Sequence, residues 1–467
     1  MTDLILPQKI AQIRPELDGL LSDLDSHGAY GSIFLSSKRG LQIRLEGKAE
    51  KIVQDEPKDG TILTLYDGQA LHERAVNGFD LEKARAGLAA LKGSVPKNGH
   101  NGRPVEVGAE RVGDFVTQTL IPPDSLSTKE KLERLRALRA RAKALDPAIL
   151  DVRLNYVESR EYGVFRDRTA DLAQHINRLT LFLIVIIADE QGRPKYDAIV
   201  KSGTFGWEGL EFSQEELEAK MVDLRALLTA ERIQPGEYTI ITAPDVSGVL
   251  AHESFGHGVE TDMYIKERAR AAEFVGKQVA SPLVSIYDDP SLPGCTGSYF
   301  FDDQGWGAAP TQIVDGGIYQ RGITDLYSAT MLGLPRSANG RRQDFSRKAY
   351  ARMSNTYFAP GDTLVEDLFA QVEDGIFVDR SVSGMEDPLG WGIQLSCHYG
   401  WEIKNGKRTG RLFSPIGMTG YVPDVLKSIT AVGDQVEYSG GTCGKGHKER
   451  VRVDSGGPHL LMKARLG

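Results

Sequence analysis

Apolar residues recur at three- and four-residue spacing over residues 8–25, with Ile10, Ile13, Leu17, Leu20, Leu21 and Leu24 on one stripe. This predicts an amphipathic helix that ends near His27 and Gly28. From Gly31 to Gly68 the pattern switches to alternation between Gly, Asp and Lys turns, the signature of a meander of three or four antiparallel strands. Leu81–Leu91, preceded by Asp80 as cap, reads as a second helix, and Thr128–Ala144, with Ser127 as cap, as a third. Strands follow near 149–163 and 177–188, and a further helix over Gln214–Arg232. The run Leu181–Ala188 is apolar throughout, so a buried strand is expected there; it is far too short to span a bilayer.

Beyond Pro235-Gly236 the texture changes. A strand at Tyr238–Thr242 leads into a helix starting near Asp245 or Ser247, and then come many short alternating runs separated by glycines. Of the 51 glycines, 19 precede residue 236 and 32 follow from there, which points to hairpins, bulges and close backbone approach in antiparallel sheet. The expected architecture is α+β: an N-terminal α/β domain with an antiparallel meander, then a Gly-rich, mostly antiparallel β domain carrying a metal-binding helix. The boundaries are a helix-plus-meander region at 1–93, a mobile linker at 94–125 rich in Gly, Pro and Asn at its start, a central α/β region at 126–235 and a catalytic domain at 236–467.

Composition narrows the function. With 56 Lys and Arg against 64 Asp and Glu, the net charge of −8 offers polyanions no general attraction, and no nucleic-acid partner is expected. The one basic stretch, Lys129 to Lys143, is read as a solvated helix face with i,i+4 pairs. Three cysteines, Cys295, Cys397 and Cys443, cannot all pair. The first residues lack the basic-then-apolar layout of a secretion signal, so a reducing, cytoplasmic setting without membrane contact is expected.

The chemistry concentrates in AHESFGHGVE, where His252, Glu253 and His257 form H-E-x-x-x-H. Two imidazoles can hold Zn²⁺ while the intervening carboxylate takes a proton from water. The spacing is one residue longer than in the usual i,i+4 arrangement, and at ~100° per residue the second imidazole falls ~140° from the first on a regular helix. Either the helix widens or ends at Gly256 and Gly258, or the histidines merely fill a core. A catalytic zinc takes three protein ligands. Glu260, Cys397, His398, Cys443, His447 and His459 are the candidates for the third, with Cys443 first because its flanking glycines permit close approach. Cys397 lies in an alternating strand and reads as a small core residue. Asp288-Asp289 and Asp302-Asp303 are read as turns rather than a second metal site.

The run SGVLAHESFGHGVETD, followed in order by SIYDDP, GSYFFDDQG, NGRRQDFSRKAYARMSNTYFAPGD and GGTCGKG, resembles the TldD/PmbA metalloprotease family. The resemblance covers most of 236–450. It implies His252, His257 and Cys443 as zinc ligands and Glu253 as catalytic base, hence the metal-bearing, TldD-like subunit. It departs after Glu260, where Thr261 stands in place of an expected Gly. Asn339, Arg341, Arg342 and Asn355 are expected to bind a peptide's carbonyls or carboxylate. The implied activity is hydrolysis of unfolded or flexible peptides, such as leader peptides of modified-peptide precursors or unfolded antitoxins. The implied assembly is a homodimer or a heterodimer with a PmbA/TldE-like subunit lacking the metal site. A non-catalytic scaffold and a gyrase-associated modulator are the alternatives.

Overall fold

The computed structural model describes residues 4–95, 102–446 and 448–467. Residues 96–101 of the expected linker and the ligand candidate His447 lie outside the described residues. The first half is organised on one eight-stranded sheet. Its strands are β1 (Tyr30–Glu46), β2 (Ala49–Gln54), β3 (Lys58–Tyr66), β4 (Leu71–Asn77), β5 (Arg111–Val116), β6 (Ile149–Asp167), β7 (Ala170–Ala188) and β8 (Pro194–Gly203). The order is β4-β3-β1-β6-β7-β5, with β2 beside β1 and β8 beside β7. β1 is long enough that residues 30–38 pair with β3 while residues 41–46 pair with β2, which accounts for the meander.

Helices Gln8–Ile13, Leu17–Asp25 and Leu81–Ser94 cover one part of this sheet, burying Ile10, Leu17, Leu24 and Leu88 against Ile33 and Leu63. The expected single helix over 8–25 is broken by a 3-10 turn at Arg14–Glu16, where Pro15 has no N–H to continue the ladder. The expected linker at 94–125 also differs from the structure: β5 lies within it and pairs in parallel with β7. Its short length and the largely exposed Val112 hide the strand's alternation.

The helix Thr128–Lys143 begins with a Ser127/Glu130 capping box. Each of its seven cations is engaged. Lys131 pairs with the buried Glu158 at 2.5 Å and Arg136 with Glu50 at 2.5 Å. Arg139 reaches Asp151 and two carbonyls, while Arg141 and Lys143 donate to the carbonyls of Phe212 and Ile149. Arg134 lies over the Trp207 ring, and Lys129 approaches Glu133 at 4.0 Å. The helix therefore docks onto the sheet through paired charges, leaving no free basic stripe.

Among the described residues the second half holds a seven-stranded sheet, a six-stranded sheet and a two-stranded ribbon of Gly340–Arg341 with Tyr350–Ala351. The seven-stranded one comprises β9 (Gly236–Thr242), Asp374–Asp387, Gly392–Lys404, Lys407–Phe413, Ile416–Tyr421, Ala431–Val432 and Leu460–Leu466. The six-stranded one includes Ile286–Asp288, Asn355–Phe358 and the hairpin Glu437–Lys445/Lys448–Gly457. Pairing is mostly antiparallel, but β9 runs parallel to Asp374–Asp387 and Asn355–Phe358 parallel to Lys448–Gly457. The helix Pro244–Phe255 is packed into the core of this half by Val246, Leu250, Ala251 and Phe255. A second core spans both halves, joining Leu183 and Leu224 to Phe377 and Trp401. Among the described residues no helix is long and apolar enough to cross a membrane.

Glu158→Ala would strand the Lys131 ammonium in the interior, a loss of about 3–5 kcal/mol. Arg136→Ala removes only an exposed pair and should leave the urea midpoint where it is. Urea unfolding of the two variants checks this, and equal midpoints would contradict the buried-pair assignment.

Candidate metal centre

The helix Pro244–Phe255 presents His252 and Glu253 on its last turn and then stops. Gly256 takes φ −95° and ψ −73°, its N–H still bonds the His252 carbonyl at 2.9 Å, and His257 opens a 3-10 turn, His257–Val259. The extra residue in the histidine spacing is thus absorbed by ending the helix, without a π-bulge. The two rings lie 5.3 Å apart and nearly perpendicular. Only glycine fits at 256, because a Cβ there would stand 2.3 Å from the His252 carbonyl oxygen.

Cys443 arrives from the hairpin strand Glu437–Lys445. Its Sγ lies 2.9 Å from His257 Nε2, and one donor atom from each of His252, His257 and Cys443 falls within 4.8 Å of the others. Among the described residues this is the one such group of potential metal ligands. Burial opposes ionisation of the Cys443 thiol, but His252 and His257 outweigh it and bring the thiol down to about 5. The imidazoles respond in kind: burial pushes both down, and the Cys443 sulfur, joined at His257 by Glu260, raises them.

This donor set fits a zinc ion. Zn–N bonds of ~2.0–2.1 Å and a Zn–S bond of ~2.3 Å at tetrahedral angles separate donor atoms by ~3.5 Å, within the span of the cluster. His252 Nδ1 is buried without a partner, and three protein ligands leave the fourth position for water or substrate.

Glu253 lines a cavity of about 580 Å³ together with His252. Its walls come from both halves: Val200 and Ser202 of β8, Arg380 and Val382 of Asp374–Asp387, and Tyr438 to Thr442 of the hairpin. Around the ligands stands a charged shell. Glu260 faces His257 Nδ1 at 3.8 Å and accepts from Arg352 Nε and Lys445 Nζ, each at 2.9 Å. Burial opposes its ionisation, yet Lys445 and Arg352 hold its carboxyl well below the usual range. Glu260 thus stands on the Nδ1 side of His257 with its charge already answered by Arg352 and Lys445. Both carboxyl oxygens of Glu386 are buried without a partner, close beside Gly258. Burial raises the Glu386 carboxyl well above its ordinary value.

The other sequence-derived candidates sit elsewhere. Asn339 and Asn355 have no exposed surface. Asn339 donates to Asp288 and the Arg352 carbonyl, Asn355 to the Asp289 carbonyl and Ser298. Arg341 donates to the carbonyls of Met353 and Arg452, and Arg342 to Glu73 and the Arg347 carbonyl. None of the four lines the cavity that Glu253 faces; their bonds knit strands and halves together, and Arg341 and Arg342 line a separate cavity. Asp288 is likewise a buried strand-end acceptor for Asn339, Ser354 and Thr356 rather than a turn. Asp289 and Asp302 do cap turns. Cys397 is a core residue as expected, His398 bonds the Tyr196 carbonyl, and His459 stacks on Phe377. Arg352 and Lys445, placed beside the ligands by this fold, had only their neighbourhood in matching motifs to signal them.

Residues 235–465 match the family profile described as the PmbA/TldA metallopeptidase C-terminal domain. The chain is 28% identical over 454 residues to a metalloprotease of Methanothermobacter thermautotrophicus, covering 96% of this chain and 97% of that one. It is 25% identical over 343 residues to a zinc metalloprotease TldD homolog of Saccharolobus solfataricus, covering 72% and 75%. Among solved structures, a Thermotoga maritima protein proposed as a modulator of a DNA gyrase superposes with a TM-score of 0.75 at 18% identity, over 98% of this chain and 100% of that one. TldE of Thermococcus kodakarensis superposes with a TM-score of 0.74 at 15% identity, over 97% and 99%. At such identities the structures speak to the fold alone.

Gly256→Ala should strip most of the bound divalent metal by displacing the His252 carbonyl and with it the turn that aims His257. Gly19→Ala, where a Cβ meets nothing within 4 Å, should keep the wild-type content. Elemental analysis of both purified variants checks the pair.

Proposed function

Because the chain belongs to the TldD/PmbA family, and because His252, His257 and Cys443 converge beside Glu253 at the wall of an open cavity, we propose that it is a zinc metallopeptidase acting on unfolded or flexible peptides. That convergence is the observation that carries the reading. When bound, zinc supplies a Lewis acid that polarises a carbonyl and lowers the pKa of water toward ~7.

The protein's own groups do the rest. Glu253, aimed into the cavity from the last turn of a rigid helix, takes the proton of the attacking water and delivers it to the leaving amine. Glu260 holds His257 in orientation through its Nδ1 side. Substrate is received as extended chain. Three strand edges at the cavity support this: among the described residues β8 pairs only with β7, Glu437–Lys445 ends its sheet, and Asp374–Asp387 has no partner on one side beyond Val378. An added strand bonds through its backbone, so a peptide without fixed structure fits and a folded protein does not. Leader peptides of modified-peptide precursors and unfolded antitoxins belong to that class. A second subunit, a copy of this chain or a TldE-like one without the ligands, would close the open side of the cavity. The cations of the basic helix are turned largely to carboxylates, carbonyls and a ring of this chain, which favours no DNA-directed role.

Glu253→Gln should keep about one zinc per chain and lower cleavage of an unstructured test peptide by at least ~10²-fold. Cys443→Ala should lose the metal and the activity together. Full zinc content in Cys443→Ala would remove the sulfur from the ligand set.

A further inference from the structure

Arg352 has no exposed surface although its guanidinium cannot shed its charge at any ordinary pH. A buried cation of this kind must be answered within the fold. The answer here is divided. Nε donates to Glu260 Oε1 at 2.9 Å, Nη1 to the Glu449 carbonyl, and Nη2 to Cys443 Sγ at 3.0 Å. Glu260 is not Arg352's alone, since Lys445 also binds it at 2.9 Å, and Lys445 is shared in turn with Asp262 at 2.6 Å. Lys266 adds a third cation on Asp262 at 3.0 Å. Arg352 and Lys445 thus share one carboxylate, Glu260, and the sulfur of Cys443 is the second side-chain acceptor that the Arg352 guanidinium reaches.

The consequence concerns the metal, and it rests on the zinc-site reading above. A thiolate donates more electron density than a third imidazole and so weakens the Lewis acidity on which hydrolysis depends. A charge-assisted N–H···S bond draws that density back and fixes the direction of the sulfur lone pairs. We propose that Arg352 is a positioning residue of the metal centre, whose bond to Cys443 aims the sulfur ligand and moderates its donation to the bound ion. On this view the two-imidazole, one-thiolate set works as a hydrolytic site because a guanidinium stands behind the sulfur.

Cobalt(II) in place of zinc makes the sulfur visible through its thiolate-to-metal charge-transfer band in the near ultraviolet. Arg352→Gln should shift that band to lower energy and lower kcat of the zinc form by ~10–100-fold with KM little changed. Arg352→Lys, which keeps a cationic donor, should recover part of both. Should the buried variants fail to fold, the cobalt-loaded wild type labelled with ¹⁵N-arginine gives a direct reading: one exchangeable guanidinium proton displaced far outside the diamagnetic range. An unmoved band in folded Arg352→Gln, or no displaced arginine proton in the cobalt-loaded wild type, overturns the proposal while leaving the metal site standing. A wild type that takes up no cobalt or zinc overturns the metal reading along with it.

Discussion

The second half of the molecule depends on how closely one helix approaches one hairpin. Gly248, one turn before His252, lies so near the strand Lys448–Gly457 that a Cβ there would stand 2.7 Å from the backbone at Ser455 and Gly456. Any side chain at that point would lever the helix outward, and the sulfur on the neighbouring strand would move away from the imidazoles. The glycine excess after residue 235 is thus tied to a distance. Backbone-to-backbone packing brings donors separated by 186 residues to 2.9 Å.

Such a contact buries several ionisable groups at once, and the fold answers them jointly. His257 meets Cys443 on one side and Glu260 on the other; Glu260 meets Arg352 and Lys445; Lys445 meets Asp262. Removing Glu260 would leave the buried Arg352 guanidinium without its carboxylate partner, where the cost is several kcal/mol. The network is therefore a device for rigidity at the ligands, whose freedom to rearrange is limited by their second partners.

The helical stripes and the β-meander were legible because each is a local period in apolar residues. The clustering of His252, His257 and Cys443 was legible for a different reason: H-E-x-x-x-H and the glycine-flanked Cys443 carry residue types with few other uses in that pattern. What could not be read was the assignment of polar residues to one site rather than another. Asn339, Arg341, Arg342 and Asn355 sit in a motif as dense in donors as Arg352, yet they bond carbonyls and carboxylates across the sheets while Arg352 reaches the sulfur. That distinction is made by strand register, which brings Arg352 and Cys443 together over 91 residues of chain. The parallel strand Arg111–Val116 escaped for the related reason that its pairing partner, not its own alternation, makes it a strand. The helix end at Gly256 was foreseeable as one of two outcomes, and the 2.3 Å approach to the His252 carbonyl shows why the chain takes it.

The central claim is that two imidazoles and one thiolate of this chain bind one zinc ion. X-ray absorption at the zinc edge of the purified protein tests it most directly. The account predicts a first shell with one sulfur at ~2.3 Å and nitrogen or oxygen scatterers at ~2.0–2.1 Å, including the outer-shell pattern of two imidazoles. A shell without sulfur, or one with two or more sulfurs, would contradict it.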